Sequence, residues 1–183
     1  GRDIVRSGLA NDIVDAGDGL DTMRYSGDRA TYTVNKTGGG FTVSGAQGAD
    51  TLTGIERIEF NDFGIGYDID GTAGKAFRLY QAAFDRTPDT FGLGFWIAMM
   101  DKGISLSTVA QHFVSSAEFS DVYGAAPTSA EFVTRLYANI LNRAGDADGI
   151  TFWTRVLDSK EATFAEVLEG FSEGHENQAN TVG

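Results

Sequence analysis

Apolar and polar positions follow two different patterns in the two halves of the chain. Beyond residue 74, apolar residues recur at three- and four-residue spacings, as in Phe77, Tyr80 and Phe84, which predicts amphipathic helices. Before residue 71, apolar and polar residues alternate between glycine clusters, which predicts antiparallel strands. The alternating stretches are residues 30–34, 40–43 and 50–60. We therefore predict an α+β protein of two domains, residues 1–71 and 72–183.

A nine-residue repeat occupies the beginning of the chain, from Gly1 to Arg24. Three aspartates recur in one column, an apolar residue follows each of them two positions later, and glycines fall at the turns. Rows of this kind predict a short parallel β-helix or β-roll, which the antiparallel strands would cap. Two stacked turns offer carbonyls and carboxylates that approach the roughly six to eight oxygens preferred by Ca²⁺. The predicted metal-site residues are Asp3, Asp12, Asp21, Gly8, Gly17 and Gly19.

These rows resemble the RTX, or hemolysin-type calcium-binding, repeat, and residues 48–60 resemble the segment that commonly closes RTX regions. We extend the resemblance to residues 1–71 as a whole. It implies that each column aspartate ligates calcium together with the aspartate two rows on, which pairs Asp3 with Asp21. Asp12 would need a partner near Asp28, where the pattern has decayed. The alternative interpretation is that all of these residues form ordinary Asp-Gly turns.

A second, longer repeat fills residues 72–183. Identical residues recur at a constant distance along the sequence, and this distance is one residue longer in the last pair. The pairs are Arg78/Arg135, Tyr80/Tyr137, Arg86/Arg143, Asp89/Asp146, Gly92/Gly149, Phe95/Phe152, Trp96/Trp153 and Glu118/Glu176. Each copy reads as three helices, at about residues 76–119 and 132–177, so we predict one all-α domain of six helices. Asp89 and Asp146 are predicted helix N-caps.

This half resembles the family known as domain of unknown function 4214, over residues 74–180. The segments Arg86–Trp96 and Arg143–Trp153 carry the resemblance. It implies a helical fold that occurs together with RTX regions in large secreted bacterial proteins, but it implies no activity. We expect the two arginines to bond terminal carbonyls, with a carboxylate ligand as the alternative.

Composition removes most enzyme classes. The chain has no cysteine, which excludes a thiolate site, and only two histidines, His112 and His175, which argue against an imidazole metal cluster and a catalytic triad. We expect His112 at the edge of a helix and His175 on the surface. The net charge of −12 argues against nucleic acid as a partner and is compatible with cations. No apolar run is long enough to span a bilayer.

Two functions remain in competition. The first is a non-catalytic calcium-binding module at the C-terminal side of a bacterial RTX protein. Type I secretion machinery would export it, and it would fold on calcium outside the cell. The second is a module for adhesion or surface anchoring, whose helical domain binds glycan or a cell-surface protein through Trp96, Trp153, Tyr80 and Tyr137. The alternative for these four aromatics is the helical core. Because the chain begins at Gly1, we expect a piece of a longer protein, with any catalytic domain upstream.

Overall fold

A computed structural model describes residues 1–181 of the chain and divides it into two units. The first unit is Gly1–Asp68, and the second begins at Ile69. The first holds strands and the second holds helices, which makes the protein α+β. The division falls just before the glycine-containing segment around residue 71, where the apolar pattern of the sequence changes.

The first unit contains two mixed sheets of four strands each. Its strands are β1 (Ile4–Arg6), β2 (Ile13–Asp15), β3 (Thr22–Arg24), β4 (Thr33–Thr37), β5 (Gly40–Gly45), β6 (Gly48–Thr53), β7 (Arg57–Glu59) and β8 (Gly64–Gly66). One sheet has the order β1-β3-β7-β8 and the other β2-β6-β5-β4. A single 3₁₀ turn, Arg29–Thr31, precedes β4.

Successive short strands alternate between the two sheets, so that two rows of the repeat make one coil. In the first sheet, β1 pairs in parallel with β3, and Val5 lies opposite Met23. β3 pairs in parallel with β7, and Met23 lies opposite Ile58. In the second sheet, β2 pairs in parallel with β6, which leads on to the antiparallel strands β5 and β4. The apolar column of the repeat thus points inward, toward a core that includes Val43 and Leu52.

Glycine is required where one turn lies directly on another. Gly48 has a φ of +130°, and a Cβ built on it would stand 2.3 Å from the carbonyl oxygen of Ala10 in the turn it stacks against. Gly19 has a φ of +153°, and its Cβ would stand 1.8 Å from the carbonyl oxygen of Gly1. These distances leave no room for a side chain, so the glycines set the spacing between coils.

The second unit contains eight helices within the described residues, and not the six that the sequence predicted. They are α1 (Thr72–Phe84), α2 (Thr90–Asp101), α3 (Leu106–Val114), α4 (Ala117–Tyr123), α5 (Ser129–Leu141), α6 (Ala147–Asp158), α7 (Phe164–Ser172) and α8 (His175–Thr181). Each copy therefore has four helices. The third predicted helix was too long because the chain breaks before Ser116, which caps a new helix, its Oγ accepting the Phe119 N–H at 3.1 Å.

Both copies contribute to one hydrophobic core. α1 packs against α2 and α7, α3 packs against α7, and α5 packs against α6. Leu79 and Leu136 occupy equivalent positions on α1 and α5, and both are fully buried. The helices of one copy thus cover those of the other, since a unit of this size buries little apolar surface alone.

A buried arginine joins the two ends of the second unit. Arg78 on α1 is 1% exposed, and its Nε and Nη2 donate to both carboxylate oxygens of Glu173 at 2.8 and 2.7 Å. Its Nη1 donates to the carbonyl oxygen of Ile69 at 2.7 Å. The equivalent arginine of the second copy, Arg135, bonds the carbonyl oxygen of Val122.

We predict that Gly48→Ala destabilises the first unit by about 2 kcal/mol or more, because it adds a strained φ to a backbone clash. Gly39→Ala is the matched control, since a Cβ there meets nothing within 4 Å. Urea unfolding followed by circular dichroism gives the free energies. Amide exchange at Thr51, whose N–H donates to the carbonyl oxygen of Asp12, reports the stacking locally. Equal free energies of unfolding for the two variants would contradict the conclusion that the stacked turns leave no room for a side chain at Gly48.

We also predict that Arg78→Met lowers the free energy of unfolding of the second unit by about 3 kcal/mol, because it strands a partly buried carboxylate. Arg143→Met breaks the exposed pair with Glu176 and should lower the free energy of unfolding much less, because solvent screens an exposed ion pair. Both tryptophans, Trp96 and Trp153, belong to the second unit, so their fluorescence in urea gives both values. A loss for Arg143→Met as large as that for Arg78→Met would be incompatible with this account.

Candidate functional site

Acidic side chains connect successive coils of the first unit. The Asp3 N–H donates to Oδ1 of Asp21 at 2.6 Å, and the Asp21 N–H donates to Oε2 of Glu56 at 2.8 Å. In the other sheet, the Asp12 N–H donates to Oδ1 of Asp50 at 2.9 Å. Each carboxylate thus accepts the backbone amide of the acid one coil earlier. We call the two series the acid ladders, Asp3-Asp21-Glu56 and Asp12-Asp50.

The structure corrects the partner expected for Asp12. The aspartate of the next coil is Asp50, and not Asp28, because the hairpin of β4 and β5 is inserted between the two turns. Sequence reasoning also missed Glu56 as the next acid after Asp21. The signal was present, since Gly48-Ala-Asp-Thr-Leu52 and Gly54-Ile-Glu-Arg-Ile58 repeat the spacing of Gly19-Leu-Asp-Thr-Met23. The intervening residues break the nine-residue phase and conceal it.

Asp21 and Asp50 are both buried, but their hydrogen bonding differs. Oδ2 of Asp50 accepts the Tyr25 hydroxyl at 2.8 Å and the Ser7 hydroxyl at 3.2 Å. Burial, and next the hydrogen bond to Asp50, raise the pKa of Tyr25 well above its ordinary value, so Tyr25 remains a neutral donor. Oδ2 of Asp21 is buried and has no hydrogen-bond partner within the described residues. An unpartnered carboxylate oxygen is costly in a residue that is 0% exposed.

The remaining predicted site residues lie in the turns around these aspartates. Asp3 is exposed and Asp12 is partly buried. Gly17 and Gly19 have φ values of +75° and +153° and shape the turn that leads into Asp21. Gly8 is exposed in the turn before Asp12. The predicted residues therefore gather on two acid ladders, on which Asp3 adjoins Asp21 and Asp12 adjoins Asp50.

Side chains alone do not form a metal site here. No group of three or more histidine, cysteine, aspartate or glutamate side chains in residues 1–181 is arranged to hold a metal ion. A cation at Asp21 would therefore need backbone carbonyl oxygens, which calcium accepts as ligands. The buried Oδ2 of Asp21 is the observation that fits such an ion, because it is the one position on the ladders where a buried oxygen lacks a donor in the described residues.

The second unit contains a duplicated polar cluster. Arg86 Nε donates to Oε1 of Glu118 at 2.6 Å, and Arg143 Nε donates to Oε1 of Glu176 at the same distance. Each guanidinium also lies over a tyrosine ring, 5.1 Å from the centroid at Tyr80 and 5.0 Å at Tyr137. Nη1 of each arginine donates to the carbonyl oxygen of the next residue, Thr87 or Ala144, which lies in the turn and not at the helix end, where the bond was predicted. The glutamates fasten α4 and α8 to the turns that follow α1 and α5.

The acidic N-caps predicted for α2 and α6 are confirmed. Oδ1 of Asp89 accepts the Gly92 N–H and Oδ1 of Asp146 accepts the Gly149 N–H, each at 2.7 Å. The Gly92 N–H, and next the Tyr80 hydroxyl, hold the pKa of Asp89 below its ordinary value. Asp89 therefore remains a charged cap and hydrogen-bond acceptor near neutral pH, which explains its recurrence in both copies without a catalytic role.

The repeated aromatics mainly build the core. Tyr80 and Tyr137 are buried, whereas Trp96 and Trp153 are partly buried and pack against the core cluster. The two tyrosine rings are therefore not available as a platform for sugar rings. His112 is exposed beside Trp96, with ring centroids 5.5 Å apart, and His175 is exposed at the start of α8.

Comparisons with known proteins identify only part of the second unit. None of the helices in residues 1–181 is both long and apolar enough to cross a membrane. Neither the curated proteins nor the solved structures contain a match to the chain. Residues 110–181, which run from within α3 to the end of α8, match the family described as "Domain of unknown function (DUF4214)".

Proposed function

We propose that the first unit is a non-catalytic calcium-binding module of the β-roll type. The observation that carries the proposal is the buried, unpartnered Oδ2 of Asp21. At the equivalent position of the other ladder, two hydroxyl donors satisfy Asp50. No such donor serves Asp21 within the described residues, and a cation is the partner that a buried carboxylate favours most when protein donors are missing.

The ligand set follows from the stacking of the turns. Asp21 would supply a carboxylate oxygen, and the adjoining turn of Asp3 would supply a second carboxylate together with carbonyl oxygens. Glu56 adjoins Asp21 on the opposite side of the ladder through the Asp21 N–H. A divalent cation would supply positive charge to carboxylates that otherwise repel one another across neighbouring coils. Gly17 and Gly19, on either side of the exposed Asp18, add no side chain to the turn that leads into Asp21.

Calcium binding of this kind would be coupled to folding. The acid ladders exist only when the coils are stacked, so an ion that binds them stabilises the folded state by mass action. With an affinity of about 10⁻⁴ to 10⁻³ M, as in extracellular modules, the gain at about 10 mM calcium is roughly 1.4 to 2.7 kcal/mol. At the low calcium concentration inside a cell, this gain in the stability of the folded state vanishes.

This calcium dependence suits a protein that is exported before it folds. We therefore include in the proposal a location outside a bacterial cell, reached through type I secretion machinery. The support is the resemblance of residues 1–24 to RTX repeats, which the rows Gly48–Leu52 and Gly54–Ile58 extend. A glycan platform of all four repeated aromatics has less support, because Tyr80 and Tyr137 lie in the core.

We predict that Asp21→Asn removes the stabilisation of the first unit by calcium. The asparagine keeps an oxygen to accept the Asp3 N–H but carries no charge. In EDTA the variant should equal or exceed the wild type in stability, because a buried unpaired charge is gone. About 10 mM calcium should raise the free energy of unfolding of the wild type by roughly 1.4 to 2.7 kcal/mol and leave that of the variant unchanged. Amide exchange of Thr22–Arg24 in the full chain, with and without calcium, measures both effects.

Asp18→Asn is the matched control, because Asp18 is exposed on the same turn and lies outside the acid ladders. Its response to calcium should equal that of the wild type. Magnesium at the same concentration separates a specific site from general screening of a chain with a net charge of −12. If exchange in wild-type Thr22–Arg24 does not change between EDTA and calcium, the proposal is wrong.

A further inference from the structure

The two copies of the helical repeat differ most on the exposed face of their second helix. In α2, the stretch Thr90–Met100 contains no charged residue, yet Met100 is its one buried side chain. Phe91 is 90% exposed and Phe95 is 56% exposed. Because Phe91, Phe95 and Ala98 stand at i, i+4 and i+7, they share one face of the helix, which we call the α2 face.

The same positions of α6 carry a different surface. When the two copies are aligned on Trp96 and Trp153, Asp148 replaces Phe91 and Arg155 replaces Ala98. The Arg155 guanidinium lies over the ring of Phe152, with its Cζ 5.6 Å from the centroid. Glu161 holds that arginine, its Oε1 accepting from Nη1 at 2.6 Å. In the second copy a cation from the same helix therefore covers one face of the phenylalanine, which remains 50% exposed.

The first copy lacks both parts of this cover. Ala98 cannot reach over Phe95, and the loop Lys102-Gly-Ile-Ser105 contains no acid equivalent to Glu161. Phe95 nevertheless contacts Trp96 edge to face at 5.0 Å, the geometry that Phe152 and Trp153 adopt at 5.1 Å. Phe95 and Phe152 are thus held in the same orientation against their tryptophans. Phe152 has a guanidinium over its ring, whereas Phe95 has none from the described residues.

We propose that the α2 face docks a basic peptide segment of a partner protein, with an arginine of the partner stacked on Phe95 as Arg155 is stacked on Phe152. Phe91 supplies adjacent apolar surface for the residues that flank this arginine. Charge complementarity favours a basic partner, because this chain has a net charge of −12. The same charge opposes both a second copy of the chain and an anionic lipid surface. A guanidinium over an aromatic ring and apolar contacts beside it together give a specific site.

A randomised twelve-residue peptide library displayed on phage, selected on the full chain, tests this proposal. Selection against the Phe95→Ser variant, which lacks the ring proposed to hold the arginine, removes peptides that bind elsewhere. We expect the retained peptides to share an arginine flanked by apolar residues. Replacing that arginine by citrulline, which keeps the shape and removes the charge, should weaken binding about fivefold to tenfold by fluorescence anisotropy.

Variants of position 98 provide the decisive comparison. Ala98→Arg rebuilds the cover of the second copy and should reduce binding of the selected peptide at least about tenfold, since the guanidinium occupies the ring of Phe95. Ala98→Gln adds a similar length without charge and should retain most of the binding. Tryptophan fluorescence in urea checks that both variants remain folded.

Four results would overturn the proposal. The first is that no peptide survives the selection against Phe95→Ser, and the second is that the survivors share no arginine. The third is a wild-type chain that sedimentation shows to be a dimer and that Phe91→Asp makes monomeric, because the α2 face is then covered by a second copy. The fourth is binding to vesicles of phosphatidylcholine and phosphatidylglycerol that is lost in Phe91→Asp.

Discussion

The first unit depends on one interaction, the hydrogen bond from the backbone amide of one turn to the carboxylate of the turn stacked on it. The interaction occurs from Asp3 to Asp21, from Asp21 to Glu56 and from Asp12 to Asp50. Because the carboxylate must reach across a single coil spacing, the neighbouring backbones have to be almost in contact. The glycines at the stacked turns and the position of each acid beside its strand are consequences of that one spacing.

Stacking the turns in this way buries acidic side chains. The two acid ladders differ in the donors that they provide to the buried carboxylates. Tyr25 and Ser7 lie beside Asp50 and donate to it, so that ladder is complete within the protein. Asp21 has one oxygen bonded to Asp3 and one without a donor in the described residues. The same backbone arrangement therefore gives a self-sufficient carboxylate in one sheet and, in our proposal, a carboxylate that an external cation completes in the other. This contrast separates a structural acid from a candidate ligand better than the column of aspartates alone.

Local periodicity allowed much of the fold to be predicted from sequence. The coils follow from a nine-residue repeat that stays in phase over residues 1–24, and the duplication follows from identities that keep one offset over most of the two copies. Asp50 was missed as the partner of Asp12 because a hairpin separates the two turns in sequence but not in space. The break before α4 was missed because Ser116 can either continue a helix or cap one, and only the surrounding packing decides between them. Glu118 and Glu176 recur visibly, but the sequence does not show that each meets an arginine from which two intervening helices separate it.

A comparison of the two copies in the second unit distinguishes positions that the fold requires from positions that are free to vary. Positions that agree between the copies have structural roles: the capping aspartates begin α2 and α6, and the Arg-Glu pairs hold one helix to the turn after another. The exposed face of the second helix obeys no such requirement, since Phe91 and Ala98 in one copy correspond to Asp148 and Arg155 in the other without a change in helix length. An uncharged, exposed helix face lowers solubility and contributes nothing to the core, so stability does not account for it. Both phenylalanines are exposed, but a guanidinium lies over Phe152 and none from the described residues lies over Phe95, and our proposal assigns this difference to a contact of Phe95 with another molecule.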